Sequence, residues 1–131
     1  MSNEQIAKLL RNVAAAYIIK DERKFHFQIV AYQKAADSIV NSSIELADYH
    51  KDGELQNIPG IGVSIKGHLE ELFATGKVKY FDWALKGIPE SVFVLMNIPS
   101  FGPKKAYRLV EEFGLVNPKT VIADLQKLAA K

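Results

Sequence analysis

The sequence contains no cysteine. This excludes disulfides, thiolate nucleophiles and cysteine-ligated zinc, and it fits a reducing compartment, cytoplasmic or, in a prokaryote, nucleoid-associated. Long apolar runs are also missing. Stretches such as Val13–Ile19 and Val92–Met96 fall far short of the ~18–20 residues needed to span a membrane, so no membrane partner is expected. The opening MSNEQIAKLL carries acid early and has no apolar centre, unlike a secretory leader. His26, His50 and His68 share no metal-ligand spacing. No paired-aspartate motif is present, and nucleotidyl transfer needs carboxylates that hold two divalent ions. Charge of one sign is not in large excess. With 17 Lys and Arg against 15 Asp and Glu, the net charge of +2 permits an anionic partner without requiring one.

What is present is a folded helical chain. It is 48% hydrophobic and 24% charged over 131 residues, enough for one ordinary domain or two small ones. Ile6, Leu9, Leu10, Val13, Tyr17 and Ile18 fall on one helical stripe, and Ser2 with Gln5 forms a capping-box pattern ahead of it. Asp21–Lys24 is a charged break. A second helix carries Phe25, Ile29, Tyr32, Ala36 and Ile39 on one face. Ser42 and Ser43 are placed to cap a short third helix through Ile44, Leu46 and Tyr49. After a turn at Asp52-Gly53, a helix with Ile65, Leu69, Leu72 and Phe73 inward ends at Gly76. Short helices follow around Phe81–Leu85 and Glu90–Met96. Pro103 then opens a helix carrying Leu109, Val110 and Phe113, and Asn117-Pro118 suits the start of a last one with Val121, Ile122, Leu125 and Leu128. No segment alternates with period two, so the predicted fold is all-α.

One unit occurs twice. Asn57-Ile58-Pro59-Gly60-Ile61-Gly62 is echoed by Asn97-Ile98-Pro99-Ser100-Phe101-Gly102, and the match extends to Leu69 with Leu109, Glu71 with Glu111 and Phe73 with Phe113. A Pro-Gly-x-Gly turn between helices is often only a tight connection. It can also expose the first N–H groups of the following helix, at its positive end, to an anion. Glycine there supplies positive φ and lets a ligand approach the main chain. Lys66 follows the first turn, and Lys104, Lys105 and Arg108 follow the second. A grip of this kind touches phosphate and reads no base. The non-glycine Ser100 implies either a modified second turn or strain.

These features together resemble the N-terminal helix-hairpin-helix region of family X DNA polymerases, the DNA polymerase beta relatives. Ala31-Tyr32-Gln33-Lys34-Ala35-Ala36 is similar to a motif on that family's second helix. Ile58–Gly62, continuing to Ala74-Thr75-Gly76-Lys77, is similar to its first hairpin, and Ile98–Arg108 to its second. The order and spacing match over nearly the whole chain. The resemblance implies two small helical subdomains, each with a helix-hairpin-helix: a lyase-type domain over 1–78 and a fingers-type subdomain over 79–131. It implies sequence-independent binding to gapped or nicked DNA, including 5′-phosphate ends, in base excision repair. It also implies a longer parent polymerase or a repair partner. The residues it places at DNA are Tyr32, Lys34, Gly60, Ile61, Gly62, Ser64, Lys66 and His68, then Ser100, Phe101, Gly102, Lys104, Lys105 and Arg108. No cofactor is required. A Na⁺ or K⁺ ion would sit on the carbonyls of Gln56, Ile58 and Ile61, and another on those of Met96, Ile98 and Phe101.

Lyase chemistry in this family uses a lysine amine to attack the sugar aldehyde. His68 stands at that position, and imidazole does not form the stable imine. Phe27-Gln28 replace a His-Lys pair, and Ser64 replaces another lysine. Lys66 is the substitute amine to consider, about 200° around the helix from His68. Without a polymerase palm, three functions remain open: a DNA-backbone-binding module, a 5′-deoxyribose phosphate lyase using Lys66 or His68, and a protein-interaction helical domain.

Overall fold

The computed structural model describes residues 1–130, and the described residues form eight α-helices and no strand. In chain order they are α1 (Asn3–Asp21), α2 (His26–Val40), α3 (Leu46–Lys51), α4 (Val63–Thr75), α5 (Lys79–Leu85), α6 (Glu90–Leu95), α7 (Pro103–Phe113) and α8 (Val121–Ala129), with a 3-10 turn at Leu55–Asn57 before α4. The chain divides into two compact units, Met1–Lys86 and a second that begins at Gly87. The division expected from sequence lay at 78/79. Helix α5 falls in the first unit because Val78, Phe81 and Ala84 join that unit's core. Lys20 Nζ donates to the Ala84 carbonyl at 2.6 Å, and the Tyr17 and Tyr80 hydroxyls are hydrogen-bonded to each other.

In the first unit α1 is the central element. Ile6, Leu10, Val13 and Tyr17 are fully buried, and so are the alanines Ala7, Ala14 and Ala16. Alanine favours helix and leaves room for close packing of α2, with which α1 makes its most extensive contact. The capping box forms as the sequence predicts: the Gln5 N–H donates to Ser2 Oγ at 3.2 Å, and the Ser2 N–H donates to Gln5 Oε1 at 2.8 Å. Ser42 and Ser43 do not cap α3, whose N-cap is Glu45 without a side-chain cap bond. Ser42 Oγ instead accepts from the Ile44 N–H and donates to the Ile44 carbonyl, a local turn that competes with helix.

A tie invisible to periodicity holds this end together. Asn3 is buried, and its amide donates to the Ile39 and Ile44 carbonyls at 3.3 and 3.0 Å. Its Oδ1 accepts from the Leu46 N–H at 2.7 Å, and its own N–H donates to Glu45 Oε2 at 3.0 Å. One side chain therefore joins the start of α1, the end of α2 and the start of α3.

In the second unit α6 packs against α7 and α8, burying Val92, Leu95, Ala106, Val110, Leu115 and Val121. Phe113 and Ile122, read from sequence as core positions, stay 47% and 40% exposed. These helices are short, and their inner faces accommodate fewer residues than the full stripe. Asn117-Pro118 does not start α8. Asn117 Oδ1 accepts from the Lys119 N–H at 2.9 Å in a separate turn, and Thr120 is the N-cap.

Asn3→Ala should lower stability by about 2 kcal/mol, because it strands the Leu46 N–H and the two carbonyls in a buried place. Urea unfolding followed by circular dichroism measures this; a loss below ~0.5 kcal/mol would show the tie to be dispensable.

Candidate functional site

The first hairpin runs from the 3-10 turn into α4. The Ile58 N–H donates to the Leu55 carbonyl at 3.3 Å, and the Ile61 N–H donates to the Ile58 carbonyl at 3.2 Å. Gly60 between them has φ +83. A Cβ on Gly60 would lie 3.0 Å from Ser38 Oγ and 3.4 Å from the Lys34 carbonyl. Glycine is needed there both for the left-handed backbone and for the close approach of α2. Gly62 differs from the sequence expectation of positive φ. It is the N-cap of α4 with φ −82 and ψ 177, an extended conformation open to any residue. A Cβ on it would meet no protein atom within 4 Å. The first helical hydrogen bond, Lys66 N–H to the Gly62 carbonyl at 2.9 Å, leaves the N–H groups before Lys66 without an intrahelical acceptor.

The second hairpin repeats this bond for bond. The Ile98 N–H donates to the Leu95 carbonyl at 3.0 Å and the Phe101 N–H to the Ile98 carbonyl at 3.1 Å, and the Ala106 N–H opens α7 by donating to the Gly102 carbonyl at 3.0 Å. Ser100 keeps the left-handed conformation, φ +73, so the turn is retained at the cost of strain. Gly102, like Gly62, is an extended N-cap with open space where a Cβ would be. Pro103 at the first helical position removes one donor that α4 has. Lys104, Lys105 and Arg108 are exposed on the following turn, and Lys105 Nζ lies 4.6 Å from the Phe101 ring centroid.

Each proposed cation set contains a carbonyl already used by its turn, those of Ile58 and Ile98. A carbonyl oxygen has a second lone pair, so ion binding is compatible with the turn. Gln56 is exposed, and Ile61, Met96 and Phe101 are half-buried.

Around the first hairpin the structure brings together part of the set picked out by sequence. Lys34 lines the same groove as Gly60, Ile61 and Gly62, with Phe27 and Val63 on its rim. Phe27 is 84% and Val63 91% exposed. A basic side chain and unpaired amides thus share one groove, an arrangement that favours an anion. Beside it lies a second cavity of about 510 Å³, lined by Gln28, Tyr32, Ser64, His68 and Tyr80 among others. Sequence reasoning placed Phe27 and Gln28 there only as replacements for a His-Lys pair, and it missed Val63 and Tyr80 as site residues. A large apolar side chain directly after the glycine turn was the available signal for Val63.

His68 is half-buried and stacked on Tyr80, with ring centroids 4.8 Å apart and planes 10° apart. Burial pushes its imidazole below the ordinary histidine value, against a smaller upward pull from Glu71. Burial, together with Tyr80, raises the Tyr17 and Tyr32 hydroxyls, which stay protonated. Lys66 lies within 3.7 Å of Glu70 Oε1 one turn along α4, and it is not among the residues that line the His68 cavity. The two weak catalytic candidates therefore do not converge.

Two consequences can be measured. Ser100→Gly should raise stability by about 0.5 kcal/mol, relief of left-handed strain outweighing the added freedom of the unfolded chain, whereas Gly60→Ala should lower it by more than about 1 kcal/mol. Equal responses in thermal unfolding would contradict the assigned turn. His68 should titrate below 6.5 by NMR. In the window from 6.5 down to that lowered value the unfolded chain takes up the proton first, so stability falls as pH falls. His68→Gln should flatten this slope below pH 6.5; an unchanged slope would contradict the downward shift of the half-buried imidazole.

The helix-hairpin-helix domain family matches residues 1–78. The chain is also similar to the DNA polymerase/3'-5' exonuclease PolX of Bacillus subtilis (strain 168), 25% identical over 115 residues, which are 88% of this chain and 19% of that protein. The chain thus spans just under a fifth of that relative's length. This likeness supports the resemblance to the helix-hairpin-helix region of family X polymerases. With residues 1–78 of 131 matched and the hairpin turn present in the structure, the chain belongs to the helix-hairpin-helix domain family.

Proposed function

We propose that this chain binds the sugar–phosphate backbone of DNA without reading its sequence, as a module of the polymerase-X type acting on gapped or nicked DNA in base excision repair. Its main support is the turn built twice, with Ile61 N–H to Ile58 carbonyl and Phe101 N–H to Ile98 carbonyl at 3.2 and 3.1 Å. Each copy places an N-cap glycine where no neighbouring protein atom would obstruct a Cβ. Close approach of a phosphate to the helix amides supplies a reason for both glycines.

Amides of α4 and α7 hold phosphate oxygens, and Lys34, Lys104, Lys105 and Arg108 neutralise them. Ser64 and Ser100 offer hydroxyl donors. Na⁺ or K⁺ on the carbonyls of Gln56, Ile58 and Ile61, and on those of Met96, Ile98 and Phe101, adds positive charge at the turns. Contacts of this kind position a duplex and carry no base information. A 5′-phosphate at a gap presents an extra negative charge, so such ends are the preferred target. A longer parent polymerase or a repair partner supplies the chemistry, and the site of action is the cytoplasm or nucleoid. No helix among the described residues is long and apolar enough to cross a membrane.

Affinity for gapped duplex should fall with salt with a log–log slope of about −3 to −5, the release expected for ~4–5 neutralised phosphates. Gly62→Val with Gly102→Val should weaken binding at least about tenfold while the helices persist, since both positions are extended and open and the capping loss is about 1 kcal/mol each. Fluorescence anisotropy across a salt series measures both. No binding at ~50 mM salt, or a double variant of full affinity, would contradict the proposal.

A further inference from the structure

The cavity beside the first hairpin differs in chemistry from the groove that holds Lys34. Its walls are rings: Tyr32, Tyr80, the His68 imidazole stacked on Tyr80, and Phe27 at the mouth. Its polar groups are neutral, the Gln28 amide and the Ser64 hydroxyl. Neither lysine nor arginine lines it. A phosphate or sugar phosphate entering it would lose water and find no cation, which is costly. A flat neutral ring with hydrogen-bonding edges loses little there and gains stacking surface.

The cavity is continuous with the hairpin. Phe27, Ala31, Ser64 and Ile65 line both it and the Gly60–Gly62 groove. Ser64 belongs to both chemistries: its N–H is among the first amides of α4, and the residue lines the cavity. At about 510 Å³ the space lies within the ~300–1,000 Å³ range of small-ligand sites. Phe27 is 84% exposed and Val63 91%; both line the Gly60–Gly62 groove and offer apolar surface that the chain itself leaves uncovered.

We propose that this cavity takes an unpaired nucleobase, packed against the Phe27 ring and the His68–Tyr80 pair and met at its edge by Gln28 and Ser64, on the strand whose phosphate lies at the α4 amides. This rests on the backbone-binding function proposed above. An unpaired nucleotide is the fitting occupant because extracting a base from a stable pair costs several kilocalories, whereas a mismatched or single-stranded base is already free. Such a site would direct the chain to frayed or mismatched strand ends without reading their sequence, since every base has a face to stack.

The test uses the full 131-residue chain and two gapped duplexes, each with a 5′-phosphate. In one the 5′-terminal nucleotide is 2-aminopurine paired with thymine; in the other it is 2-aminopurine in an unpaired mismatch. Anisotropy of a distant dye reports binding, and 2-aminopurine emission reports stacking. The unpaired end should bind about tenfold more tightly, a typical effect of one stacked base, and its emission should be quenched at saturation. Phe27→Ala and Gln28→Ala should each move the ratio toward one. Phe27 is so exposed that its replacement cannot empty the core, and circular dichroism confirms folding. Binding to both duplexes with a ratio of one and unquenched emission overturns this inference and leaves the backbone-binding function standing. A ratio and quenching indifferent to both variants overturn the assignment to this cavity. Absence of binding to either duplex rejects the function and the inference together.

Discussion

The hydrogen bond from the Ile61 N–H to the Ile58 carbonyl closes a turn that forces Gly60 into a left-handed conformation against α2. The start of α4, and therefore the position of its unpaired amides, follows from that closure. The turn in turn depends on α2, because Ser38 Oγ and the Lys34 carbonyl would be 3.0 and 3.4 Å from any Cβ at position 60. Helix α2 is held by the alanine-rich packing of α1 and by Asn3, which bonds the Ile39 and Ile44 carbonyls. A grip on a ligand at the hairpin thus rests on a chain of contacts that reaches the first turn of the protein.

The two hairpins share geometry and differ in chemistry. The first has a full set of α4 amides, one lysine in its groove and an apolar rim of Phe27 and Val63. The second gives up an amide at Pro103 and tolerates a strained Ser100, but exposes Lys104, Lys105 and Arg108. The first offers more helix amides and the second more exposed positive charge. The mixture suits a backbone ligand, whose phosphates accept both. Around His68 the departure is larger. Rings and neutral amide or hydroxyl groups line a cavity without lysine, and Lys66, the substitute amine considered from sequence, is paired with Glu70.

Much of the fold was legible because helix stripes and glycine stops are local signals. Ile6 to Tyr17, Ser2 with Gln5, and the left-handed Gly76 and Gly114 all stand where the sequence places them. The repeat announced two turns, and two turns form. Its glycines were partly misread, since positive φ belongs to Gly60 and Ser100 while Gly62 and Gly102 are extended N-caps. A glycine in sequence signals freedom without saying whether backbone, neighbour or ligand uses it. Cap assignments at Ser42-Ser43 and Asn117-Pro118 failed because those side chains close their own local turns instead. Asn3 and Tyr80 were not legible, because their partners lie about 40 and 60 residues away in sequence and only tertiary packing brings them together.

The central claim is that unpaired helix amides at the two hairpins hold phosphate. Amide NMR of the ¹⁵N-labelled chain, titrated with a gapped, 5′-phosphorylated duplex, tests it residue by residue. The account predicts the largest shifts at the amides of Gly62, Val63, Ser64 and Ile65 and at those of Gly102 and Lys105. Shifts that leave both of these groups still while the duplex binds elsewhere would contradict it.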